Sequence, residues 1–262
     1  MNNLVRNDYP ASDFVPWFKQ KDAKEVPVIS HGTGVHFWDV SGKRYIDFAS
    51  QLVSVNLGHQ HPRIVAAIQA QAEKLCAIAP SFTNEPRLRL SQMIAEVTPG
   101  DLNTTFFTNS GSEANDFAFA LARKITGRDK IMARYRSYHG TSAGTLSVSG
   151  DPRRTARRGD AAGVVRFFDP HCFRCSFGLA YPSCAMRCAS SIEEVIQFEG
   201  PDDIAAIVAE PVAGAMGPYV PPPEYYGIVR EICDRYGIVF IADEVMTGFG
   251  RTGRWFGIEH WD

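Results

Sequence analysis

The sequence has no lysine after Lys130, so arginine is the only fully charged base in the second half of its 262 residues. It also lacks any run approaching the roughly 20 apolar residues that a membrane-spanning helix needs. The formal net charge is −2, without the basic excess that nucleic acids or anionic membranes attract. We therefore expect a soluble protein that binds neither nucleic acid nor membrane.

Two further absences concern the compartment. The first residues, MNNLVRNDYPASDFVPWF, contain no apolar core of a secretory signal. Six cysteines in a chain of this length do not indicate a secreted disulfide framework. The sequence therefore predicts a cytoplasmic protein. Hydrophobic residues make up 45% of the sequence, which is typical of an ordinary globular domain.

Apolar runs that alternate with amphipathic segments indicate the fold class. Residues 35–48 alternate around Ser41-Gly42, as in a β-hairpin, and residues 61–75 form an amphipathic helix with Pro62 in its first turn. Further along, four strand-like runs (TTFFTN, KIMARY, IAAIVAEPV and IVFIADEV) are interspersed with two helical segments (SGSEANDFAFALARKITG and PEYYGIVREICDRYG). This order predicts an α/β domain with a mostly parallel sheet.

The apolar stripes of the three helical segments predict which faces are buried. The expected inward positions are Ile64, Val65, Ile68, Ala72 and Leu75 in the first; Ala114, Phe117, Ala118, Leu121, Ala122 and Ile125 in the second; and Tyr225, Ile228, Val229, Ile232 and Tyr236 in the third. Gly127 and Gly237 are expected to end the second and third helices.

Small and acidic residues follow the strand-like runs, where parallel sheets bind ligands. Ser110 to Glu113 form an S-x-x-E capping box. Gly111 allows close approach, and the amides of Gly111 and Ser112, the serine hydroxyls and the helix dipole together suit a phosphate group. A plain helix cap explains the same residues. The acids at the neighbouring strand ends, Glu210 and Asp243, favour the phosphate site.

Asp243 ends a buried run, where a carboxylate is costly without a cationic or hydrogen-bonding partner. A protonated pyridine nitrogen is one such partner, and a structural salt bridge or a metal ion is another. Tyr138 and His139 follow another strand, where an aromatic ring can stack on a planar cofactor. Taken alone, each of these patterns favours a structural explanation.

The segment CFRCSFGLAYPSCAMRC spaces Cys172, Cys175, Cys184 and Cys188 as C-x2-C-x8-C-x3-C. Four thiolates at such spacing can surround zinc or an iron–sulfur cluster. The central spacer is short for a zinc ribbon, so we favour reduced, packed cysteines and assign no metal.

Two other patterns are weaker. GFGRTG formally matches G-x-G-x-x-G, but its glycines do not directly follow the strand and no clear helix begins at them, so it does not favour a dinucleotide site. The basic cluster of residues 153–158 (Arg153, Arg154, Arg157 and Arg158) is interpreted as a solvated loop or helix face; a patch that steers anionic substrates is the alternative.

Together these motifs resemble the class III aminotransferases, pyridoxal-phosphate (PLP) enzymes of fold type I. The resemblance runs through nearly all of the chain, and its specificity lies in the order of several individually weak segments. These are GVHFWDVSGKRYIDF, NLGHQHPRIVAAIQAQ, FTNSGSEAND, SYHGTS, VAEPVAGAMG, PPPEYYGIVREICDRYGIVFIADEVMTGFGRTG and WFGIEHW.

The resemblance implies a role for each strand-end residue. Ser110, Gly111 and Ser112 match the phosphate-binding loop, and Tyr138 matches the aromatic that stacks on the pyridine ring, with His139 beside it. Asp243 matches the catalytic acid that pairs with the pyridine nitrogen. The ring's other face is implied to pack on Val245, and Glu210 matches an acid near the cofactor that often pairs with a mobile arginine.

The N-terminal segment SQLVSVN lies where the family lines its substrate pocket, and Val53 is small where some amine-accepting members carry a large aromatic. We therefore expect residues 1–57 to contribute to a small domain and the substrate pocket. Residues 58–262 are expected to form an incomplete large PLP-binding domain.

One departure concerns the Schiff-base lysine, which the family carries roughly 30 residues after the acid matching Asp243. This sequence has no lysine there. We therefore expect a fold type I chain without its C-terminal small domain, about the first 60% of an aminotransferase. Such a chain is expected to have little activity alone, and its full-length form to be a homodimer or higher oligomer.

The resemblance implies transfer of an amino group from an amine or amino acid to a 2-oxo acid, pyruvate or 2-oxoglutarate, by a ping-pong mechanism. Three alternatives stay open. One is another fold type I reaction (aminomutase, decarboxylase or racemase), the second is a non-catalytic relative, and the third is a dinucleotide oxidoreductase.

Overall fold

The computed structural model describes residues 19, 21, 26–156 and 162–261. The chain divides into two compact units, the first ending at Asn84 and the second beginning at Glu85. None of the described helices is long and apolar enough to cross a membrane.

The first unit contains the predicted hairpin within a three-stranded antiparallel sheet. Asp39 sets the turn between the second and third strands, because its Oδ1 accepts the backbone N–H groups of Ser41 and Lys43. Gly42, at φ +85°, supplies the left-handed residue that the turn requires. The strands are β1 (Ile29–Thr33), β2 (His36–Asp39) and β3 (Arg44–Ile46).

The predicted amphipathic helix of the first unit is α2 (Pro62–Ala72), and it follows a single left-handed turn, α1 (Ser50–Val53). Pro62 occupies the first helical turn as expected. The prediction that its apolar stripe is buried is wrong for this chain, because Ile64 is 43% and Ile68 63% exposed. Helical periodicity identifies an apolar face but not the presence of a partner for it.

The second unit is built on a parallel four-stranded sheet of order β5-β4-β6-β7. β6 is a central strand, and all six of its residues are buried. The expected strand TTFFTN is wrong: residues 104–109 form no ladder, since β-rich residues become a strand only beside a hydrogen-bonding partner. The strands are β4 (Lys130–Arg134), β5 (Val164–Phe167), β6 (Ile204–Ala209) and β7 (Val239–Ala242).

Helices cover both faces of this sheet, and each face has its own apolar cluster. One cluster joins α6 and α7 to Phe167 and Ile207, and the other joins α4 and α5 to Ile131 and Val208. This confirms the α/β class. The helices of the unit are α3 (Glu85–Val97), α4 (Gly111–Thr126), α5 (Ala143–Val148), α6 (Arg187–Glu199) and α7 (Tyr225–Tyr236).

The buried faces of the two long predicted helices differ in how well they match expectation. In α7, Tyr225, Val229 and Ile232 are buried as predicted. In α4 the buried residues are Asn115, Phe119 and Ala122, whereas Phe117, Leu121 and Ile125 are 41–64% exposed. The α4 prediction is right for Ala122 but wrong for Phe117, Leu121 and Ile125, because the sheet packs against the side of the helix that carries Phe119. Gly127 and Gly237 end the helices in left-handed conformation, as predicted.

Candidate active site

The N-terminus of α4 forms at the capping box. Ser110 is the N-cap, and its Oγ accepts the backbone N–H of Glu113 at 3.2 Å. The Glu113 carboxylate reaches back to the backbone N–H of Asn109 at 2.7 Å. The first-turn amides of Gly111 and Ser112 have no intrahelical acceptor, so they are available to an anion at the positive end of the helix dipole.

Glycines allow the neighbouring loops to approach this helix end. A Cβ on Gly111 would lie 3.1 Å from Cγ2 of Val245, which places Val245, itself 67% exposed, beside the start of α4. A Cβ on Gly140, whose φ is +135°, would overlap the Oγ of Ser112. Ser112 Oγ also accepts the backbone N–H of Thr141 at 3.0 Å. The loop after β4 therefore packs directly on the cap.

Asp243 follows β7 and is buried at the centre of a hydrogen-bonded cluster. Its Oδ2 lies 2.7 Å from Nδ1 of His139 and 3.0 Å from Nδ2 of Asn115, and its Oδ1 accepts the backbone N–H of Val245 at 3.1 Å. Burial favours the neutral acid. The hydrogen bond and charge of His139, with the smaller contributions of Val245 and Asn115, outweigh burial and lower the pKa of Asp243.

Asn115 is a site residue that sequence reasoning missed. Its Nδ2 donates to the backbone carbonyl of His139 and to Oδ2 of Asp243, both at 3.0 Å. It thereby joins α4 to two strand-end loops. A signal was present, because Asn115 follows Gly111 by one helical turn and so shares its face.

Glu210 follows β6 and is also buried. Its Oε1 accepts the backbone N–H of Tyr138 at 3.0 Å, and its Oε2 accepts that of Gly214 at 2.8 Å. Its own carbonyl accepts hydrogen bonds from the guanidinium of Arg134 and the hydroxyl of Tyr226. The carboxylate therefore holds two loops together, and the buried Arg134 contacts the Glu210 main chain and not its carboxylate.

Tyr138 is half-buried, and the guanidinium of Arg153 lies 4.3 Å from its ring centroid. Burial raises the pKa of the Tyr138 phenol, and the positive charge of Arg153 opposes that rise. Arg153 itself forms a two-point ion pair with Asp151 at 2.5 and 2.6 Å. One member of the basic cluster is thus held in place, while Arg157 and Arg158 lie outside the described residues.

Glu244, adjacent to Asp243, has a separate structural role. Its carboxylate accepts the backbone N–H groups of Gly257 and Ile258, both at 2.8 Å, and so caps a short 3₁₀ helix, Gly257–Trp261. Of the two acids that end β7, only Asp243 faces the cluster around His139. The GFGRTG glycines lie in turns and a bend between β7 and this 3₁₀ helix, and no helix begins at them.

The structure thus brings Asp243 and His139 into contact, joins Glu210 to Tyr138, and places Val245 beside Gly111. Tyr138 and His139, Glu210, and Asp243 and Val245 follow the carboxyl ends of the neighbouring parallel strands β4, β6 and β7, as the sequence predicts, whereas Gly111 begins α4 and follows no strand. The open amides at the helix end suit a phosphate group, and the ionised buried carboxylate suits a protonated ring nitrogen. With an aromatic ring beside them, these groups suit a phosphorylated, cationic heteroaromatic ring such as PLP.

Comparisons with known proteins address the family directly. The family model described as aminotransferase class-III matches residues 18–262. A taurine–pyruvate aminotransferase of Bilophila wadsworthia is 39% identical over 249 residues, 91% of this chain and 54% of that protein. A leucine/methionine racemase of Thermococcus litoralis is 40% identical over 229 residues, 85% of this chain and 51% of that protein. The chain spans about half the length of the curated relatives it matches.

A solved structure gives the same result for the fold. The taurine:2-oxoglutarate aminotransferase from Bifidobacterium kashiwanohense, determined in complex with PLP and glutamate, superposes with a TM-score of 0.92 at 40% identity. The match covers 100% of this chain and 60% of that one. The described fold is therefore part of fold type I, and PLP is the cofactor of the family. The chain belongs to the class III aminotransferases.

Proposed function

We propose that the protein transfers an amino group from an amine or amino acid to a 2-oxo acid, with PLP as cofactor. The observation that carries this proposal is the buried, ionised carboxylate of Asp243 beside an open helix N-terminus. Bound PLP supplies the carbonyl carbon that takes up the amino group and a ring that withdraws electrons from it.

The phosphate is assigned to the start of α4. The amides of Gly111 and Ser112 point out of the first turn, and the hydroxyls of Ser110 and Ser112 still have their protons to donate after accepting the bonds described above. The helix dipole adds to the attraction for a dianion. These residues bind and orient the cofactor without entering the chemistry.

The pyridine nitrogen is assigned to Asp243. Because the pKa of Asp243 is lowered, the side chain is a carboxylate at neutral pH and can hold a proton on the ring nitrogen by a charge-assisted hydrogen bond. Its Oδ2 is already bound by His139 and Asn115, whereas Oδ1 carries only the Val245 amide. We assign Oδ1 to the cofactor for this reason.

The two faces of the ring are assigned to Tyr138 and Val245. Val245 is largely exposed next to Gly111, which leaves its side chain free to cover a ring. Glu210 fixes the backbone of Tyr138 and so the position of its aromatic ring. His139 binds Asp243 and acts on the cofactor only through it.

The amino donor and acceptor are proposed by class. Relatives are named for taurine with pyruvate and for taurine with 2-oxoglutarate, so both 2-oxo acids are candidate acceptors. The family's covalent lysine has no counterpart after Asp243 in these 262 residues. We therefore expect the 262 residues alone to show little turnover. The proposal also includes a homodimeric complete gene product, which rests on the resemblance to the family alone.

The test is amino transfer by the complete gene product, assayed with a panel of amines and amino acids and either pyruvate or 2-oxoglutarate. The proposal requires product formation that depends on both the donor and the 2-oxo acid, and its loss in Asp243→Asn. The racemase relative makes racemisation the second candidate. Inversion of an amino acid without any 2-oxo acid would replace the proposal with that reaction.

A further inference from the structure

Residues 149–153, which follow α5, run beside the loop after β4. The backbone N–H of His139 donates to the Oγ of Ser149 at 2.8 Å, and the N–H of Gly150 donates to the carbonyl of Ser137 at 2.9 Å. Two hydrogen bonds thus join the two segments directly. The side chains of residues 149–153 are therefore placed next to the loop that carries the aromatic ring of the site.

The start of this segment is anchored to the sheet by Arg166 of β5. The guanidinium of Arg166 donates to the backbone carbonyl of Ser149 at 2.9 Å and to the carbonyls of Ser147 and Val148. The last carbonyls of a helix have no partner within it, so a charged donor at this point completes the end of α5. These bonds fix the position from which residues 149–153 leave the helix.

Within the segment, Asp151 orients the side chain of Arg153. Oδ1 of Asp151 accepts the backbone N–H of Arg153 at 2.8 Å and its Nε–H at 2.5 Å, and Oδ2 accepts a proton from Nη2 at 2.6 Å. A two-point pair between a carboxylate and a guanidinium sets the plane of the guanidinium as well as its position. The plane of Arg153 is therefore set by its own segment.

The guanidinium lies over the ring of Tyr138, with its Cζ 4.3 Å from the ring centroid. A guanidinium at this distance is attracted to the electron-rich face of an aromatic ring and stacks on it. We propose that Arg153 is a positioning residue, which covers one face of Tyr138 and so directs the other face to the cofactor. The inference rests on the proposed function, in which Tyr138 stacks on the PLP ring.

The contact acts on a part of Tyr138 that the main-chain bonds do not control. Oε1 of Glu210 accepts the backbone N–H of Tyr138 at 3.0 Å, but a fixed backbone does not by itself set the χ1 and χ2 angles of a tyrosine. Contact with the guanidinium restricts both angles, so less freedom is lost when a cofactor stacks on the ring. Glu210 and Arg153 thus act on one residue, the first through its main chain and the second through its ring.

The ion pair with Asp151 also has an electrostatic consequence. A guanidinium without a counter-charge behind Tyr138 would disfavour a protonated pyridine ring on the other side, because like charges repel. The Asp151 carboxylate, whose side chain is only 7% exposed, offsets that charge. The pair therefore supplies stacking without opposing the proton that Asp243 is proposed to hold on the cofactor.

The first measurement is the affinity of the complete gene product for PLP in a double-mutant cycle of Arg153→Met and Tyr138→Leu. Methionine keeps an unbranched stem and removes the guanidinium. The strength of a partly exposed contact of this kind limits the effect to about fivefold. We expect Arg153→Met to weaken binding about two- to fivefold when Tyr138 is present and not at all in Tyr138→Leu. Arg230→Met, which removes a surface ion pair with Asp234, is the control and should leave the affinity unchanged.

The second measurement is the visible circular dichroism of the bound cofactor at saturating PLP, expressed per bound molecule. This band depends on how the protein orients the ring, so it should be weaker in Arg153→Met and unchanged in Arg230→Met. A role of Arg153 in folding alone would lower the amount of folded protein and leave the band of each bound cofactor as it is in the wild type.

The outcomes separate this inference from the proposed function. Equal effects of Arg153→Met on PLP affinity with and without Tyr138, or an unchanged band, would overturn the role of Arg153 and leave the proposed function standing. Unchanged affinity in Tyr138→Leu would remove Tyr138 from the cofactor site, and the role of Arg153 with it. A wild-type gene product that binds no PLP would overturn both.

Discussion

Nδ1 of His139 lies 2.7 Å from Oδ2 of Asp243, and their side chains are 0% and 3% exposed. Neither residue is placed by this contact alone, because Asn115 bonds both to Oδ2 of Asp243 and to the carbonyl of His139. The three side chains come from α4, the loop after β4 and the end of β7. The acid is thus held in one orientation by the protein's own side chains, which is the property that a cofactor site needs.

Removal of the histidine should destabilise the fold. His139→Ala leaves the buried carboxylate of Asp243 without its main hydrogen-bonding partner, and the loss of a partner to a buried polar group costs about 1–3 kcal/mol, and more for a charged group. Urea titration at neutral pH measures the change in the free energy of unfolding. His260→Ala, at an exposed histidine, is the control and should change it by less than about 0.5 kcal/mol. Equal effects of the two substitutions would contradict the role given to His139.

Acid should weaken the fold partly through Asp243. Its folded pKa is lowered, so its contribution to stability is present above the ordinary aspartate pKa of about 4 and is lost as the pH falls through the folded value. Asp243→Asn should therefore flatten the fall in unfolding free energy that begins below about pH 4. Asp202→Asn, at a fully exposed aspartate, should keep the wild-type slope. A wild-type slope in Asp243→Asn would show that the carboxylate is not stabilised by folding.

Glu210 should matter through the backbone that it holds. Glu210→Gln keeps one oxygen but places an N–H₂ group against an amide donor of Tyr138 or Gly214, and an unsatisfied buried donor costs about 1–3 kcal/mol. We expect a loss of stability in that range together with weaker PLP binding by the complete gene product. The exposed Glu231→Gln, on α7, is the matched control. Unchanged binding of PLP by Glu210→Gln would argue against the idea that the Glu210 carboxylate positions the backbone of Tyr138 for the cofactor.

Two glycines should respond to alanine in opposite directions. Gly140→Ala forces a side chain into a backbone at φ +135° and against Ser112, so it should destabilise by at least about 1–3 kcal/mol. Gly227 lies exposed within α7 with nothing near its missing Cβ, so Gly227→Ala should stabilise by about 0.5–1 kcal/mol. Thermal unfolding measures both changes, and stabilisation by Gly140→Ala would contradict the close packing at the helix end.

The sequence predicts the sheet and the strand-end placement of the site because both depend on local patterns. Continuous apolar runs identify β6 and β7, and polar residues directly after them must meet at one edge of a parallel sheet. The S-x-x-E pattern likewise locates the start of α4. These features need no knowledge of which elements are neighbours.

Features that depend on contacts between residues distant in the sequence could not be predicted from local patterns. The buried face of α4 is chosen by the sheet, so Phe119 is covered and Leu121 is not, although both are apolar. The TTFFTN run has β propensity, but no strand of the described residues pairs with it. In the sequence, Asn115 has no feature that distinguishes it from other polar helix residues. Its role depends on its hydrogen bond to Asp243, which lies 128 positions later.

PLP binding by the complete gene product, compared between wild type and Asp243→Asn, tests the central claim most directly. A charged hydrogen bond to the ring nitrogen is worth about 1.5–3 kcal/mol, so titration followed by quenching of protein fluorescence should give an affinity about 10–100-fold weaker in the variant. Equal affinities, in a variant that is folded as judged by circular dichroism, would contradict the assignment of Asp243 to the cofactor.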